Sequence, residues 1–399
     1  MKPSYIVFGA TGALVLVGAL FFKPARGADA PRTPSSDIEV LEKLPLGATD
    51  PREREQARLR RLLAARPDDL RTAVALARLD IQISRSRSDP RYLGYAQAAL
   101  GPFWSMTSPP TEVLVLRATI RQSVHDFDGA LADLDRVVAT APGDAQAWIT
   151  RSVVLTVRGR YEEARASCKP LAGLTSDLVL TVCEASIDAV TGNAAPAYER
   201  LTNAIAHPAG TLSVDEREWA VSTLGEIAER AGREDAAEKH FKEAIALDPD
   251  DPYVLSAYAD LLLDLGRPEE AGKIVSGRLE NDNLLLRLAL AEERTHDRNA
   301  ASDADLLRQR YSASHLRGDT VHRREESRFV LALEHDPERA LSLARANWDV
   351  QHEPWDVRVL LEAAVAAHDP ASATPALDFL EAHHMQDPRI VALARKLRP

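Results

Sequence analysis

The 399-residue sequence is poor in several residue types, and each shortage limits what the chain can do. It has two cysteines, 5% aromatic residues and a net charge of −11, so basic residues are in clear deficit. Paired cysteines at zinc-finger spacing are absent, which excludes that type of structural zinc site. An acidic chain without a basic stripe lacks the footprint of a nucleic-acid-binding protein. We therefore expect no nucleic-acid partner.

Catalytic motifs are also missing from the sequence. It contains no glycine loop of the phosphate-binding type, no His-Glu-x-x-His pair and no Gly-x-Ser-x-Gly motif. Seven of the eleven histidines lie between His315 and His384, but His315 and His322, the evident helical pair, are two turns apart. That spacing is poor for a single ion, so we expect these histidines to be solvated or packed. We predict a protein that is not an enzyme and has no catalytic residue, metal or cofactor, and we find no sign of a small-molecule substrate.

The N-terminus contains one long uncharged stretch, residues 5–22. It fits a signal peptide cleaved after Gly27, although Lys23 and Arg26 are unusual in a cleavage region. It also fits a retained transmembrane anchor, since a stretch of this length is near the lower limit for crossing a bilayer. The sequence leaves both interpretations open for residues 1–27.

The segment that follows has the composition of a linker. Residues 23–50 contain four prolines and many small polar residues, and such segments are tethers rather than packed elements. We assign residues 28–50 as a flexible linker and residues 51–399 as the folded domain. With either interpretation of the N-terminus, we expect the folded domain to be periplasmic or otherwise extracytoplasmic, exported or anchored to the membrane by the N-terminal segment.

An internal repeat dominates the rest of the chain. An alanine recurs at a nearly constant interval, at Ala130, Ala164, Ala197, Ala237 and Ala271. A glycine precedes the last four of these by five residues, at Gly159, Gly192, Gly232 and Gly266. A period of this length is typical of a solenoid of helix pairs, which forms a surface for holding other molecules.

The clearest unit spans residues 218–251, just after a predicted capping box formed by Ser213 and Glu216. It has small, large, turn and terminating residues in phase at Leu224, Gly225, Ala228, Gly232, Ala237, Phe241, Ala244 and Pro249. This unit resembles a tetratricopeptide repeat, and its neighbours repeat the pattern most clearly over residues 111–280. The resemblance implies an all-α fold, a right-handed solenoid of antiparallel helix pairs. The Arg/Ser-rich segment 84–90 is predicted to protrude as a loop.

The resemblance also implies a concave groove lined by the first helix of each pair. Its positions in this sequence include Ile149, Val153, Val182, Trp219, Glu226, Glu229, Tyr253 and Asp260. The Lys, Asn and Arg clamp with which some relatives hold chaperone tails is absent from these positions. Acidic residues and two aromatic residues are present instead, which favours a protein or peptide partner with basic character.

The two cysteines, Cys168 and Cys183, fall in neighbouring predicted helices. An oxidising compartment would allow them to form a disulfide, and the alternative is that both are small buried apolar residues. The sequence does not decide between the two.

Three functions are consistent with these features. The first is a non-enzymatic scaffold or adaptor, exported or tethered to a membrane, that binds a polypeptide in its groove. The second is a permanent structural subunit of a membrane-associated complex, which would expose a large apolar patch. The third is an enzyme or metal carrier that uses the His-rich C-terminal third. We favour the first, because the exposed apolar content is modest.

Overall fold

The computed structural model describes residues 51–398, and every regular element in that range is helical. The first ten helices are α1 (Pro51–Ala65), α2 (Leu70–Arg87), α3 (Arg91–Ala99), α4 (Gly101–Trp104), α5 (Thr111–Ser123), α6 (Phe127–Thr140), α7 (Ala145–Val157), α8 (Tyr161–Cys168), α9 (Asp177–Val190) and α10 (Ala194–Ala206). The remaining helices are α11 (Val214–Arg230), α12 (Glu234–Leu247), α13 (Pro252–Asp264), α14 (Pro268–Val275), α15 (Asp282–Thr295), α16 (Ala300–Arg317), α17 (Arg323–Phe329), α18 (Pro337–Trp348), α19 (Pro354–Ala366), α20 (Thr374–Ala382) and α21 (Pro388–Leu397). Short 3-10 turns lie at Lys169–Leu171 and Pro370–Ala373, and a π-helical turn lies at Val330–Glu334.

The helices pack as consecutive pairs, which confirms the all-α, tetratricopeptide-like architecture. The first members of the pairs are α2, α5, α7, α9, α11, α13, α15, α17 and α19. Each packs on the helix that follows it and on the first helix of the next pair, so that neighbouring pairs complete one another's core. Helix α1 covers α2 at one end, and α21 packs on α19 at the other. None of the helices within residues 51–398 is long and apolar enough to span a membrane.

Residues in the left-handed conformation follow the first helix of many pairs. Four of them are the repeat glycines Gly159, Gly192, Gly232 and Gly266, with φ between +69° and +80°. Glycine has no β-carbon to strain this conformation. Histidine takes the same role after other helices, with φ between +53° and +62° at His125, His296, His335, His368 and His384. Five of the eleven histidines are therefore turn residues.

The array winds back on itself, so that residues far apart in sequence meet. The Asn281 side-chain amide donates to the Ser86 carbonyl over 3.3 Å, across 195 residues. The backbone N–H of His352 donates to the Val157 carbonyl over 2.7 Å, a comparable separation. A second turn of the spiral thus stacks on the first and encloses an inner space.

The corner formed by residues 84–90 differs from the prediction of a protruding loop. Helix α2 continues through this segment to Arg87, and only the residues 88–90 link it to α3. Ser84 is buried, and its hydroxyl donates to the Asp89 carbonyl over 2.9 Å. The corner is ordered because the second turn of the spiral contacts it through Asn281. The predicted signal or anchor segment and the linker, residues 1–50, lie outside the described residues.

Candidate binding cavities

Two adjoining cavities lie on the inner face of the spiral. Cavity A, of about 500 Å³, is lined mainly by arginines and carboxylates from α11, α13, α15, α17, α19 and α21. Cavity B, of about 510 Å³, is lined mainly by aliphatic, aromatic and hydroxyl side chains from α7, α9 and α11. Both cavities share Arg85, Glu226 and Tyr253, so they form one continuous inner surface.

The structure brings most of the predicted groove residues together on this surface. Ile149, Val153 and Trp219 line cavity B. Glu229 and Asp260 line cavity A, while Glu226 and Tyr253 line both.

Val182 does not belong to this surface, and its assignment to the groove is wrong. Its side chain is fully buried and lines neither cavity. It belongs to a core cluster with Leu201 of α10 and Ala220 of α11. The phase of the repeat in α9 therefore differs from the prediction at this position, and Val182 packs in the contact between helix pairs.

The two predicted aromatic residues reach the cavities in different ways. Tyr253 exposes 61% of its surface, and its hydroxyl donates to the Glu226 carboxylate. Desolvation inside the spiral raises the pKa of the Tyr253 phenol well above its usual value, and the Glu226 charge adds to this effect. Trp219 is half-buried, packed against the core on one side and facing cavity B on the other. Both rings offer apolar area to a bound molecule.

The predicted acidic residues have cationic partners within the chain. Asp260 lies between Arg287 and Arg328, at 2.8 and 2.7 Å, and all three are largely buried. Burial favours the neutral acid, but the two guanidinium groups outweigh it and hold the pKa of Asp260 well below its usual range. Asp260 is therefore an ionised buried carboxylate that links α13 to α15 and α17.

Two further arginines, in the C-terminal helices α19 and α21, bind acidic residues of α13 and α11, which belong to the first turn of the spiral. Arg358 contacts both carboxylate oxygens of Asp264, at 2.6 and 2.7 Å. Arg389 lies 2.6 Å from Glu229. Burial nevertheless raises the pKa of Glu229 to about 7, with Arg389 opposing the shift.

The repeat pattern indicates the acidic residues of the groove but not these arginines. Arg287 lies 27 residues beyond Asp260, and Arg328, Arg358 and Arg389 come from helices 68 to 160 residues further along the chain than the acids they bind. Glu226 is also paired, with Arg230 at 2.9 Å one helical turn away. The carboxylates predicted to attract a basic partner are therefore already neutralised by the chain itself.

Two charged side chains of the cavities, Arg85 and Glu218, have neither an ion pair nor a side-chain hydrogen bond among residues 51–398. Arg85 lines both cavities without a hydrogen bond or ion pair; it stays accessible to solvent, yet the surrounding protein desolvates its guanidinium enough to lower the pKa. Glu218 lines cavity B, and its Oε1 is buried without a hydrogen-bond partner. Burial, with the nearby charge of Asp251, raises the pKa of Glu218 to about 7. The repeat pattern gives no signal for Arg85, because this residue lies in the segment predicted to protrude as a loop.

The two cysteines meet behind the wall of cavity B. Cys168 of α8 and Cys183 of α9 form a disulfide in the structure, with an S–S distance of 2.06 Å and a Cα–Cα distance of 5.9 Å. Cys183 lines the cavity, so the bond fixes the wall formed by α9. Among residues 51–398 there is no group of three or more His, Cys, Asp or Glu side chains placed to hold a metal ion.

Comparisons with known proteins agree with the repeat architecture. Two segments match family models described as tetratricopeptide repeat, over residues 115–176 and 228–292. No curated protein matches the sequence.

Among solved structures, PilW, described as a widely conserved type IV pilus biogenesis factor, is 16% identical; the match covers 52% of this chain and 96% of PilW, with a TM-score of 0.40. The Cut9–Hcn1 complex is similar at 11% identity, with 87% and 89% of the two chains covered and a TM-score of 0.40. A human IFIT1 dimer with m7Gppp-AAAA is similar at 11% identity, with 87% and 85% covered and a TM-score of 0.44. These similarities are too low to carry an argument about function.

Proposed function

The chain contains tetratricopeptide repeats, and we propose that it is a non-enzymatic scaffold that binds a short polypeptide segment in cavities A and B. The observation that carries this proposal is the convergence of Ile149, Val153, Trp219 and Tyr253 on one accessible inner surface. Each cavity has the volume of a typical ligand pocket. An extended segment of a partner therefore fits, whereas a folded domain does not.

The chemistry of cavity B suits an amphipathic segment. Its aliphatic and aromatic walls offer the kind of anchor pocket in which binding energy concentrates. One of its polar groups is Glu218, a carboxylate with no cationic partner and with Oε1 buried without a hydrogen bond. The expectation of a basic partner now rests on this residue, because a lysine or arginine of the bound segment would complete the missing ion pair. Such a cation would also lower the pKa of Glu218 and release its proton.

We place the scaffold outside the cytoplasm, in the periplasm or an equivalent compartment. The support is the uncharged stretch of residues 5–22 together with the disulfide between Cys168 and Cys183. Disulfides persist in oxidising compartments and are rare in the cytosol. Residues 1–27 would be the exported signal or the membrane anchor, and residues 28–50 the tether.

A permanent structural subunit is the second candidate, and exposed apolar residues near the start of the array favour it. Leu62, Tyr95 and Met106 expose 38, 44 and 47% of their surfaces near the start of the array. Leu63 and Leu76 line a cavity of about 410 Å³ beside Tyr95. An exposed apolar area at the end of a helical array is a place where another protein packs.

Site-specific photo-crosslinking in native membranes tests both candidates. A photoreactive phenylalanine analogue replaces Val153, which exposes 40% of its surface to the inner space. The control replaces Val214, which exposes 60% and lies outside cavities A and B. We expect a crosslinked partner from Val153 and none from Val214. Crosslinks from neither position, or equally from both, would contradict binding in the cavity.

The recovered partner then allows an affinity measurement with matched tyrosines. Tyr253→Ala should weaken binding about tenfold or more, because a central aromatic anchor is lost. Tyr95→Ala should leave affinity unchanged if the cavity is the site. The opposite result would support the structural subunit instead: Tyr95→Ala would weaken binding, while Tyr253→Ala would still recover a whole membrane assembly. N-terminal sequencing of the recovered chain distinguishes a cleaved signal from a retained anchor.

A further inference from the structure

Arg85 is the exception among the arginines of cavity A. Six others line this cavity, and each has a carboxylate oxygen within 3.0 Å: Arg230, Arg287, Arg324, Arg328, Arg358 and Arg389. Arg85 has none among residues 51–398, although it lines both cavities. Its side chain is exposed to solvent on this inner surface, so its N–H groups are free to donate to a ligand that enters the cavity.

The backbone that carries Arg85 is held in place by a helix and by contacts with the second turn of the spiral. The residue lies in the last turn of α2. Just beyond it, the Ser88 hydroxyl accepts a hydrogen bond of 3.1 Å from the Asn283 side chain of α15. Asn281 holds the Ser86 carbonyl in the same way. Two contacts from the second turn of the spiral thus fix the corner that carries the guanidinium.

Ser256 provides a second polar group without a partner on the wall of cavity A. The residue is 9% exposed, and its Oγ has no hydrogen-bond partner. Helical hydroxyls elsewhere in the array donate to the carbonyl one turn back, as Ser186 does to Val182 over 2.8 Å. Ser256 does not, so a buried hydroxyl is left able to donate to a molecule in the cavity.

A series of contacts joins these two groups across cavity A. Asn283, which bonds to the corner of Arg85, accepts from Arg287 through its carbonyl at 3.2 Å. Arg287 in turn binds Asp260, one helical turn after Ser256 on α13. Asp260 is shared by two guanidinium groups. At this point of the cavity wall, two guanidinium groups therefore face one carboxylate.

We propose that cavity A binds an oxyanion group, a carboxylate or a phosphate, between Arg85 and Ser256. The guanidinium and the hydroxyl both donate hydrogen bonds to its oxygens, and the anion supplies the charge that Arg85 lacks. The inference rests on the proposed function in one respect, since it takes the group to be part of the bound segment. It adds that the segment has an acidic side chain or a phosphorylated residue at this point.

Chemical labelling of the native full-length protein tests the proposal without a known partner. Phenylglyoxal modifies accessible guanidinium groups, and peptide mass spectrometry reports the rate at each arginine. Two probes, glutarate and inorganic phosphate, are added separately at millimolar concentration. We expect one or both to slow the modification of Arg85 about fivefold or more, which corresponds to occupancy near saturation. Arg71, exposed at the start of α2 and outside both cavities, should be unaffected.

A serine pair separates binding from an indirect effect. Ser256→Ala should weaken the protection of Arg85 by the anion while leaving its rate without anion unchanged. Ser222→Ala is the matched control, because the Ser222 hydroxyl of cavity B already donates to the Trp219 carbonyl over 3.0 Å. That variant should retain full protection. Protection by glutarate alone would identify a carboxylate as the group, and protection by phosphate alone a phosphate.

The proposal is overturned if neither anion protects Arg85, or if Arg71 is protected equally. It is also overturned if Ser256→Ala and Ser222→Ala have the same effect. Because the probes are simple anions, this failure differs from failure of the proposed function. A partner that crosslinks at Val153 while Arg85 stays unprotected would leave the scaffold function standing and remove the oxyanion site.

Discussion

The ring of Phe379 fills the space beside Gly159 that a β-carbon would occupy. A β-carbon placed on Gly159 would lie 2.7 Å from the nearest ring atom of Phe379. Gly159 lies in the turn between α7 and α8, and Phe379 lies in α20, in the next turn of the spiral. Gly159 therefore meets two requirements because it has no side chain. It adopts a φ of +70° without strain, and it leaves room for Phe379 where the two turns of the spiral meet.

Replacing Gly159 with alanine should destabilise the protein more than the same change at Gly266. Both glycines have a φ of +70°, but a β-carbon at Gly266 would meet nothing within 4 Å. The cost of the left-handed conformation, about 1–2 kcal/mol, is common to both. Gly159→Ala adds overpacking against Phe379, about 1–3 kcal/mol more. Urea unfolding of the two variants measures the difference, and equal losses would show that the contact between turns contributes little.

The same pair of residues shows what the sequence could predict. The role of Gly159 as a turn residue was evident from the repeat, because the need for a left-handed conformation is local. Its contact with Phe379 was not, because it depends on how small rotations between neighbouring pairs accumulate over all the repeats that separate them. His125 takes the same conformation and lies five residues before Ala130, at the offset of these glycines, whereas His296 lies outside the clearest repeats.

The inner surface shows a similar division. The positions of Trp219 and Tyr253 followed from the phase of the repeat in α11 and α13. The charge of the surface did not follow, because Asp260 and Asp264 are neutralised by Arg328 and Arg358 from the second turn of the spiral. A pattern read one repeat at a time finds acids but cannot find counter-ions that arrive through the curvature of the whole array.

Asp260→Asn should be strongly destabilising, because it leaves Arg287 and Arg328 buried beside a neutral amide. Removing one member of a buried ionic cluster costs about 3–5 kcal/mol. The matched control is Asp250→Asn, whose carboxylate is 87% exposed and pairs with Arg278 at 3.0 Å. That exposed pair should contribute at most about 1 kcal/mol. Thermal and urea unfolding would check both, and a small loss for Asp260→Asn would mean that water reaches the cluster.

Reducing the disulfide should lower the free energy of unfolding. Cys168 and Cys183 close a loop with a sequence separation of 15, and opening a loop of this size costs about 3 kcal/mol through the entropy of the unfolded chain. Urea unfolding with and without a reductant measures this effect. The double variant Cys168→Ala/Cys183→Ala is the control, since its stability should not respond to the reductant. No response in the wild-type protein would show that the cysteines are not bonded in solution.

Glu218 should make stability depend on pH in a direction that its environment fixes. Burial and the charge of Asp251 raise its pKa from 4.5 to about 7 in the folded protein. The folded state therefore holds a proton that the unfolded state has released, and stability falls as the pH rises between these two values. The contribution is fully present below about pH 4.5 and is lost as the pH passes about 7. Because the side chain is only partly buried, we expect about 1 kcal/mol rather than the full value of the shift.

The variant Glu218→Gln isolates this contribution, because its amide keeps the shape of the protonated acid and cannot ionise. Glu229 also has a raised pKa, so both proteins should lose stability as the pH rises. The loss between about pH 5 and about pH 8 should nevertheless be smaller in the variant, which becomes the more stable protein at the higher pH. Glu280→Gln, an exposed change outside both cavities, should follow the wild-type curve. If Glu218→Gln follows the wild-type curve as well, the Glu218 carboxylate is already ionised and solvated at neutral pH. It would then give no reason to expect a basic residue in the bound segment.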